Sequence, residues 1–186
     1  MARYEARGSP TTARKPDSAV LVLLLGDPVR VLVVRKSCEV PGYWSCDIAL
    51  PGGSMLPGET PVDAALREAW EEVMVHPSSV RVKAALSPME AGRGLRLVVP
   101  VVGVPKGPID PRPSGGEVDF AAFIPLSLVA GEAEEVEHPR RGVVRGRSIG
   151  RGLVIWGFTY RVLRRVHGLI HQGMTVDPYT TLQESP

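Results

Sequence analysis

"LPGGSMLPGETPVDAALREAWEEVMV", residues Leu50 to Val75, sets Gly52, Gly53 and Gly58 directly ahead of Glu68, Glu71 and Glu72. On a helix, positions i, i+3 and i+4 share one face, and these carboxylates occupy those positions. Like charges side by side repel by about 0.2–0.5 kcal/mol per neighbouring pair even when exposed. A purely structural helix gains nothing from that repulsion. Hard divalent cations take oxygen ligands and keep some waters. The cluster therefore reads as a Mg2+ or Mn2+ site whose remaining coordination positions are left for phosphates and water.

The surroundings fit that reading. Thr60 to Val73 has helical character, with Pro61 tolerated in the first turn. Arg67 follows Asp63 by four residues and precedes Glu71 by four, so it can neutralise part of the cluster or fix a carboxylate by bidentate hydrogen bonds. Ala64, Ala65 and Ala69 are small enough to let the helix sit close to a sheet. The glycines ahead of it allow a tight loop whose backbone faces ions or phosphates.

At 186 residues, with 44% apolar and 23% charged residues, the chain reads as one globular domain. A net charge of +2 gives no bulk argument for nucleic acid or a membrane. Cys38 and Cys46 are too few for a disulfide framework and lack metal-type spacing, so a reduced, cytoplasmic setting is the default expectation. No apolar run approaches the ~18 residues a membrane helix needs. Residues 1–17 read as a flexible tail and residues 18–186 as the domain.

"SAVLVLLLGD" (18–27) and "VRVLVVRK" (29–36) read as paired strands of a hairpin. "DIALPGG" (47–53) runs into a glycine turn. "VRVKAAL" (80–86), "LRLVVPVVGV" (95–104) and "EVDFAAFIPL" (117–126) read as strands, with Pro100 pointing to an edge or a bulge. Residues 105–116 and 139–152 read as loops. Gly157 to His171 forms an amphipathic helix, with Val162, Leu163, Val166, Leu169 and Ile170 on one face. His167 and His171 have the spacing to share a metal, but no third ligand is suggested.

Gly53, five residues, Glu59, seven residues, Arg67-Glu68, two residues, Glu71-Glu72 resembles the Nudix box, with Ala69 and Val75 in its two apolar positions. Six such positions at roughly 6% each occur by chance on the order of once in 10⁵ chains. One element departs: Met74 stands where the box has a glycine, so the helix is expected to end differently. The resemblance implies an α/β fold, the Nudix α/β/α sandwich with a mixed central sheet. It implies hydrolysis of a nucleoside diphosphate linked to a group X. Glu68, Glu71 and Glu72 would bind Mg2+ or Mn2+, with the Gly53 carbonyl as a further ligand. Arg67 and Glu59 would orient them. Glu68 is the favoured general base, with Glu134, Glu135 or Glu137 as the alternative. A non-catalytic nucleotide-binding module would be favoured by loss of a box carboxylate, and none is lost.

"ALREAWEEV" (65–73), "VVPVVGV" (98–104), "EVDFAAFIPLSLV" (117–129) and "IWGFTYRVL" (155–163) are similar to segments of the coenzyme A diphosphatase branch. That branch also carries an arginine and a glycine ahead of its "FPGG". Gly42 and Cys46 stand at those positions here, and Leu50 replaces the phenylalanine. Coenzyme A or an acyl derivative is the expected substrate, with ADP-ribose or another nucleotide sugar as the alternative. Gly52 and Arg35 are candidate phosphate contacts. The basic segment Pro139 to Arg151 reads as a flexible lid that grips phosphates, through Arg145 and Arg147. It lacks the aromatic interleaving of a nucleic-acid surface. The expected partner is thus a small nucleotide diphosphate, without membrane or nucleic acid; a homodimer is allowed.

Overall fold

The computed structural model describes residues 14–42, 44–92 and 95–173. Most of the tail expected over residues 1–17 lies outside them. Asp17 is already tied down: its N–H donates to Leu97 O (3.0 Å) and its carbonyl accepts from Met55 N–H (3.0 Å).

The apolar runs are strands buried on both faces. In β1 (Ser18–Leu25), Ala19, Leu21 and Leu23 face one core, while Val22 and Leu24 face another. β2 (Arg30–Lys36) divides likewise, Leu32 and Val34 against Val31 and Val33. A strand covered on both sides reads as a continuous apolar run rather than an alternating one. The two pair antiparallel, Leu24 opposite Val31, as the expected hairpin. β3 (Ile48–Ala49) continues on β2, and β4 (Gly52–Ser54) on β1.

β5 (Val80–Ala85), β6 (Met89–Ala91) and β7 (Arg96–Pro105) follow the first helix, and β8 (Val118–Pro125) pairs with β2. β7 runs parallel to β1 and the other pairings are antiparallel, so the sheet is mixed. β7 lies between β1 and β5, so Pro100 does not mark an edge; it marks an irregularity, because residues 86–88 of the facing chain stand opposite only residues 99 and 100 between the β5 and β6 ladders. Pro100 O accepts from Leu86 N–H (2.8 Å), where the neighbouring chain passes from β5 to β6. The proline nitrogen faces that same gap, so no ladder bond is lost there.

The helix α1 (Pro61–Val73) covers one face and α2 (Gly157–His171) the other, giving the α/β/α sandwich. Thr60 caps α1: its Oγ1 accepts from Asp63 N–H (3.2 Å), and the Asp63 carboxylate accepts from Thr60 N–H (3.0 Å). Ala64, Ala65 and Ala69 are fully buried and bring α1 down onto the sheet. Met74 ends the helix in the left-handed conformation a glycine would adopt, at φ 58°. The expectation of a different ending is therefore corrected. Among the described residues no helix is long and apolar enough to cross a membrane.

Residues 139–152 are not a loop. β9 (Glu134–His138), β10 (Gly142–Ser148) and β11 (Val154–Trp156) form a separate antiparallel sheet. Gly146 makes it close: a Cβ there would lie 2.3 Å from Ile155 O. β9 is acidic and β10 mixes glycines, valines and arginines, so apolar alternation does not announce them. The cysteine expectation also changes, because Cys38 and Cys46 form a disulfide across the β2–β3 loop. Cys46 N–H donates to Lys36 O (3.0 Å), which folds the loop back on itself and brings its ends together.

Candidate active site

Gly52 and Gly53 pair with Val20 and Ala19 at the edge of α1. Both positions need the missing side chain. A Cβ on Gly52 would lie 2.4 Å from Ala19 O, and one on Gly53 would lie 2.5 Å from Glu68 Oε1. The strand backbone and the Glu68 carboxylate are therefore in direct contact.

Glu72 is buried, at 7% exposure. Its Oε2 accepts from Gly52 N–H (3.2 Å) and its Oε1 meets Lys36 Nζ. Burial pushes its pKa up against the opposing pull of Lys36. Arg67, on the helix itself, is the other cation of the site. Its Nε and Nη2 grip Glu59 (2.6 and 3.0 Å), and Nη2 also donates to Ser54 O (3.0 Å). Its Nη1 donates to both Glu68 Oε1 (2.9 Å) and Glu71 Oε2 (3.1 Å). The Arg67 bonds, helped by Leu56 N–H, hold the Glu59 carboxyl down to about 2. The same pairing pushes the guanidinium pKa of Arg67 up.

Glu68, Glu71, Glu72, Arg67, Lys36, Gly52 and Gly53 line one cavity of about 970 Å³. The carboxylates share the cavity but do not meet at one point. No group of three acidic or histidine side chains among the described residues is drawn together as a ready ligand set. The cause is the repulsion that the spacing implied: Glu68 and Glu71 turn to Arg67, and Glu72 turns to Lys36.

Other expected residues lie elsewhere. Arg35 Nε pairs with Asp119 (2.7 Å) and does not line the cavity. Strand alternation explains the difference. Lys36 continues the face of Leu32 and Val34, which packs on α1, so counting by twos from Val34 selects Lys36 over Arg35. Arg145 donates to Ala133 O (2.8 Å), and Arg147 pairs with Glu134 (3.3 Å). Both are fixed on β10 outside the cavity, and the flexible lid is replaced by a sheet. Glu134, Glu135 and Glu137 lie on β9 and do not line the cavity either. The His167 and His171 rings lie 4.1 Å apart on α2, and no third ligand joins them among the described residues.

A second buried acid borders the cavity, and sequence reasoning missed it. Asp47 is 5% exposed and accepts from Arg141 Nε and Nη2 (3.1 and 2.9 Å) and from Trp156 Nε1 (3.2 Å). The Arg141 guanidinium lies 4.8 Å from the centre of the Trp156 ring. His138 Nδ1 accepts from Arg140 N–H (3.2 Å). Its Nε2 sits 3.1 Å from Asp47 Oδ1 yet off the line that a hydrogen bond needs. Burial pushes the pKa of His138 down. Asp47, Arg141 and Trp156 belong to different strands and turns, so no local spacing links them.

Comparison with known proteins agrees with the box. The NUDIX domain model matches residues 15–145. The chain is 30% identical over 161 residues to the uncharacterized Nudix hydrolase NudL of Escherichia coli, covering 83% of each. The fold is similar to the Nudix hydrolase RenU of M. smegmatis (TM-score 0.61, 16% identity, 87% of this chain and 89% of that one). It is also similar to the NUDIX domain of Shewanella oneidensis NrtR, solved with ADP ribose (TM-score 0.53, 15% identity, 88% and 94%).

Proposed function

The chain belongs to the Nudix hydrolase family, and on that premise we propose that it cleaves the diphosphate of coenzyme A or an acyl derivative. The observation that carries the reading is the complete acidic set of α1 lining one cavity with the Gly52–Gly53 strand. Residues 18–186 act as one domain in this reading.

The donors fit a hard divalent cation. They are carboxylate and carbonyl oxygens lining one cavity, and the bare Gly53 backbone leaves room for Glu68. Glu68, Glu71, Glu72 and the Gly53 carbonyl would hold Mg2+ or Mn2+. When bound, the ion neutralises the diphosphate and lowers the pKa of water in the site. The remaining work falls to the chain. Glu68 takes the proton of the attacking water on a carboxylate oxygen. Arg67, clamped by Glu59, fixes the orientation of Glu68 and Glu71. Gly52 N–H orients Glu72.

The cavity volume suits a nucleotide-sized molecule. Of the arginines between 139 and 151, Arg141 lines the cavity, and it is the one that would meet the 3′-phosphate of coenzyme A. The coenzyme A-branch resemblances of β7, β8 and α2 favour this substrate. The absent arginine and glycine ahead of the box favour a second reading, ADP-ribose.

A hydrolysis screen in Mg2+ over coenzyme A, ADP-ribose, NADH, dinucleoside polyphosphates and nucleoside triphosphates tests both. The expected products are 3′,5′-ADP and 4′-phosphopantetheine. Cleavage of ADP-ribose without coenzyme A replaces the first reading by the second, and no cleavage at all overturns both.

A further inference from the structure

We propose that the cavity wall formed by Arg141, Trp156 and Trp44 is a nucleobase subsite, and that Asp47 is the positioning residue that builds it. The proposal deepens the reading of this cavity as a nucleoside diphosphate site.

Asp47 joins the second sheet to the core. It faces His138 at the end of β9, Arg141 in the turn before β10, and Trp156 at the end of β11. It touches none of the carboxylates of α1, and the hydrolytic chemistry has no use for it. Stability does not account for it either, because a buried ion pair gains little over apolar residues of the same volume. What the pairing does is geometric. Two bonds to one carboxylate fix the Arg141 guanidinium against the Trp156 ring, while a third fixes the ring itself. A rigid pair of indole and guanidinium on a cavity wall presents flat surfaces that a planar heteroaromatic ring can stack on.

Trp44 lines the same cavity. Its ring reaches the turn after β6, where a Cβ on Gly92 would lie 3.7 Å from Trp44 Cη2. Both residues line the cavity, and the indole remains 45% exposed. The loop that carries it is held at several points. The Cys38–Cys46 disulfide closes it, Arg140 Nη2 donates to Cys38 O (2.8 Å), and Asp47 N–H donates to Trp44 O (3.0 Å). A platform fixed before the ligand arrives loses little freedom on binding. Asp47 thus anchors both parts, Trp44 through its backbone and the Arg141–Trp156 pair through its side chain.

The test compares adenosine 5′-monophosphate with ribose 5-phosphate in Mg2+ buffer, read by tryptophan fluorescence. The base is expected to tighten binding on the order of ten- to a hundredfold. Trp44→Ala and Asp47→Asn should each remove most of that gain. Asp47→Glu should restore part of it, and Mn2+ affinity should stay at the wild-type level in all three. On a hydrolysed substrate, Asp47→Asn should raise KM and spare kcat. Trp44 is exposed, so its variant tests the subsite even where Asp47→Asn does not fold. Equal binding of the two ligands, or wild-type binding by Trp44→Ala, overturns the proposal. If the base tightens binding as described and no diphosphate is hydrolysed, the subsite stands and the proposed function falls. If hydrolysis proceeds and the base adds nothing, the subsite alone falls.

Discussion

The Glu68 carboxylate rests on the backbone of Gly53, so close that a Cβ there would sit 2.5 Å from Glu68 Oε1. The contact predicts a separation of activity from stability. In Gly53→Ala the new methyl group meets the end of a flexible side chain, so the melting temperature should barely move. The carboxylate must shift, and a displacement of about 1 Å at a reacting centre costs about a hundredfold in rate. Steady-state kinetics beside a thermal melt reads both. A fully active variant contradicts the role given to Glu68.

Lys36 compensates the buried Glu72. Lys36→Met should therefore leave an unpaired buried carboxylate and destabilise the metal-free chain by about 3–5 kcal/mol in a denaturant titration. Adding Glu72→Gln to that variant should recover much of the loss. A double variant no more stable than Lys36→Met alone would show that the pair is not coupled.

Met74 occupies a left-handed position at φ 58° and is 54% exposed. That conformation costs a non-glycine residue about 1–2 kcal/mol, partly offset by the greater freedom of glycine in the unfolded chain. Met74→Gly should raise stability by about 1 kcal/mol without altering kinetics. A loss of stability would mean that the methionine side chain contributes more than its exposure suggests.

His138 gives the pH dependence a direction. Burial lowers its pKa in the folded chain below the ordinary 6.5, with Arg141 adding to the shift and Asp47 opposing it. The unfolded chain then binds a proton that the folded chain does not, so stability falls as pH drops below about 6.5. The fall ends once pH passes below the folded pKa. Comparing melts at pH 7.5 and 5.5 for wild type and His138→Gln isolates the effect. The wild type should lose more, and equal losses contradict the assignment.

What the sequence made legible was what local spacing encodes. The i, i+3, i+4 carboxylates, the Thr60–Asp63 cap and the two-faced apolar strands could each be read within one turn or one run. The sequence points to Arg35 as a phosphate contact, whereas Lys36 reaches the cavity, because β2 is apolar on both faces and only the packing of Leu32 and Val34 against α1 shows which face meets the site. The second sheet shows no apolar alternation, because β9 is acidic and β10 mixes glycines, valines and arginines, and the approach of β10 to β11 depends on Gly146. Asp47 was out of reach, since its partners Arg141 and Trp156 lie 94 and 109 positions further along the chain.

The central claim is that the acidic face of α1 drives hydrolysis of a diphosphate with Mg2+ or Mn2+. Replacing one carboxylate by an amide of equal size tests it most directly. With coenzyme A at saturating Mg2+, wild type should release 3′,5′-ADP and 4′-phosphopantetheine. Glu72→Gln, folded as judged by circular dichroism, should retain about a hundredth of that rate or less, because a neutral amide holds the cation far more weakly. Equal rates in the two proteins would contradict the account.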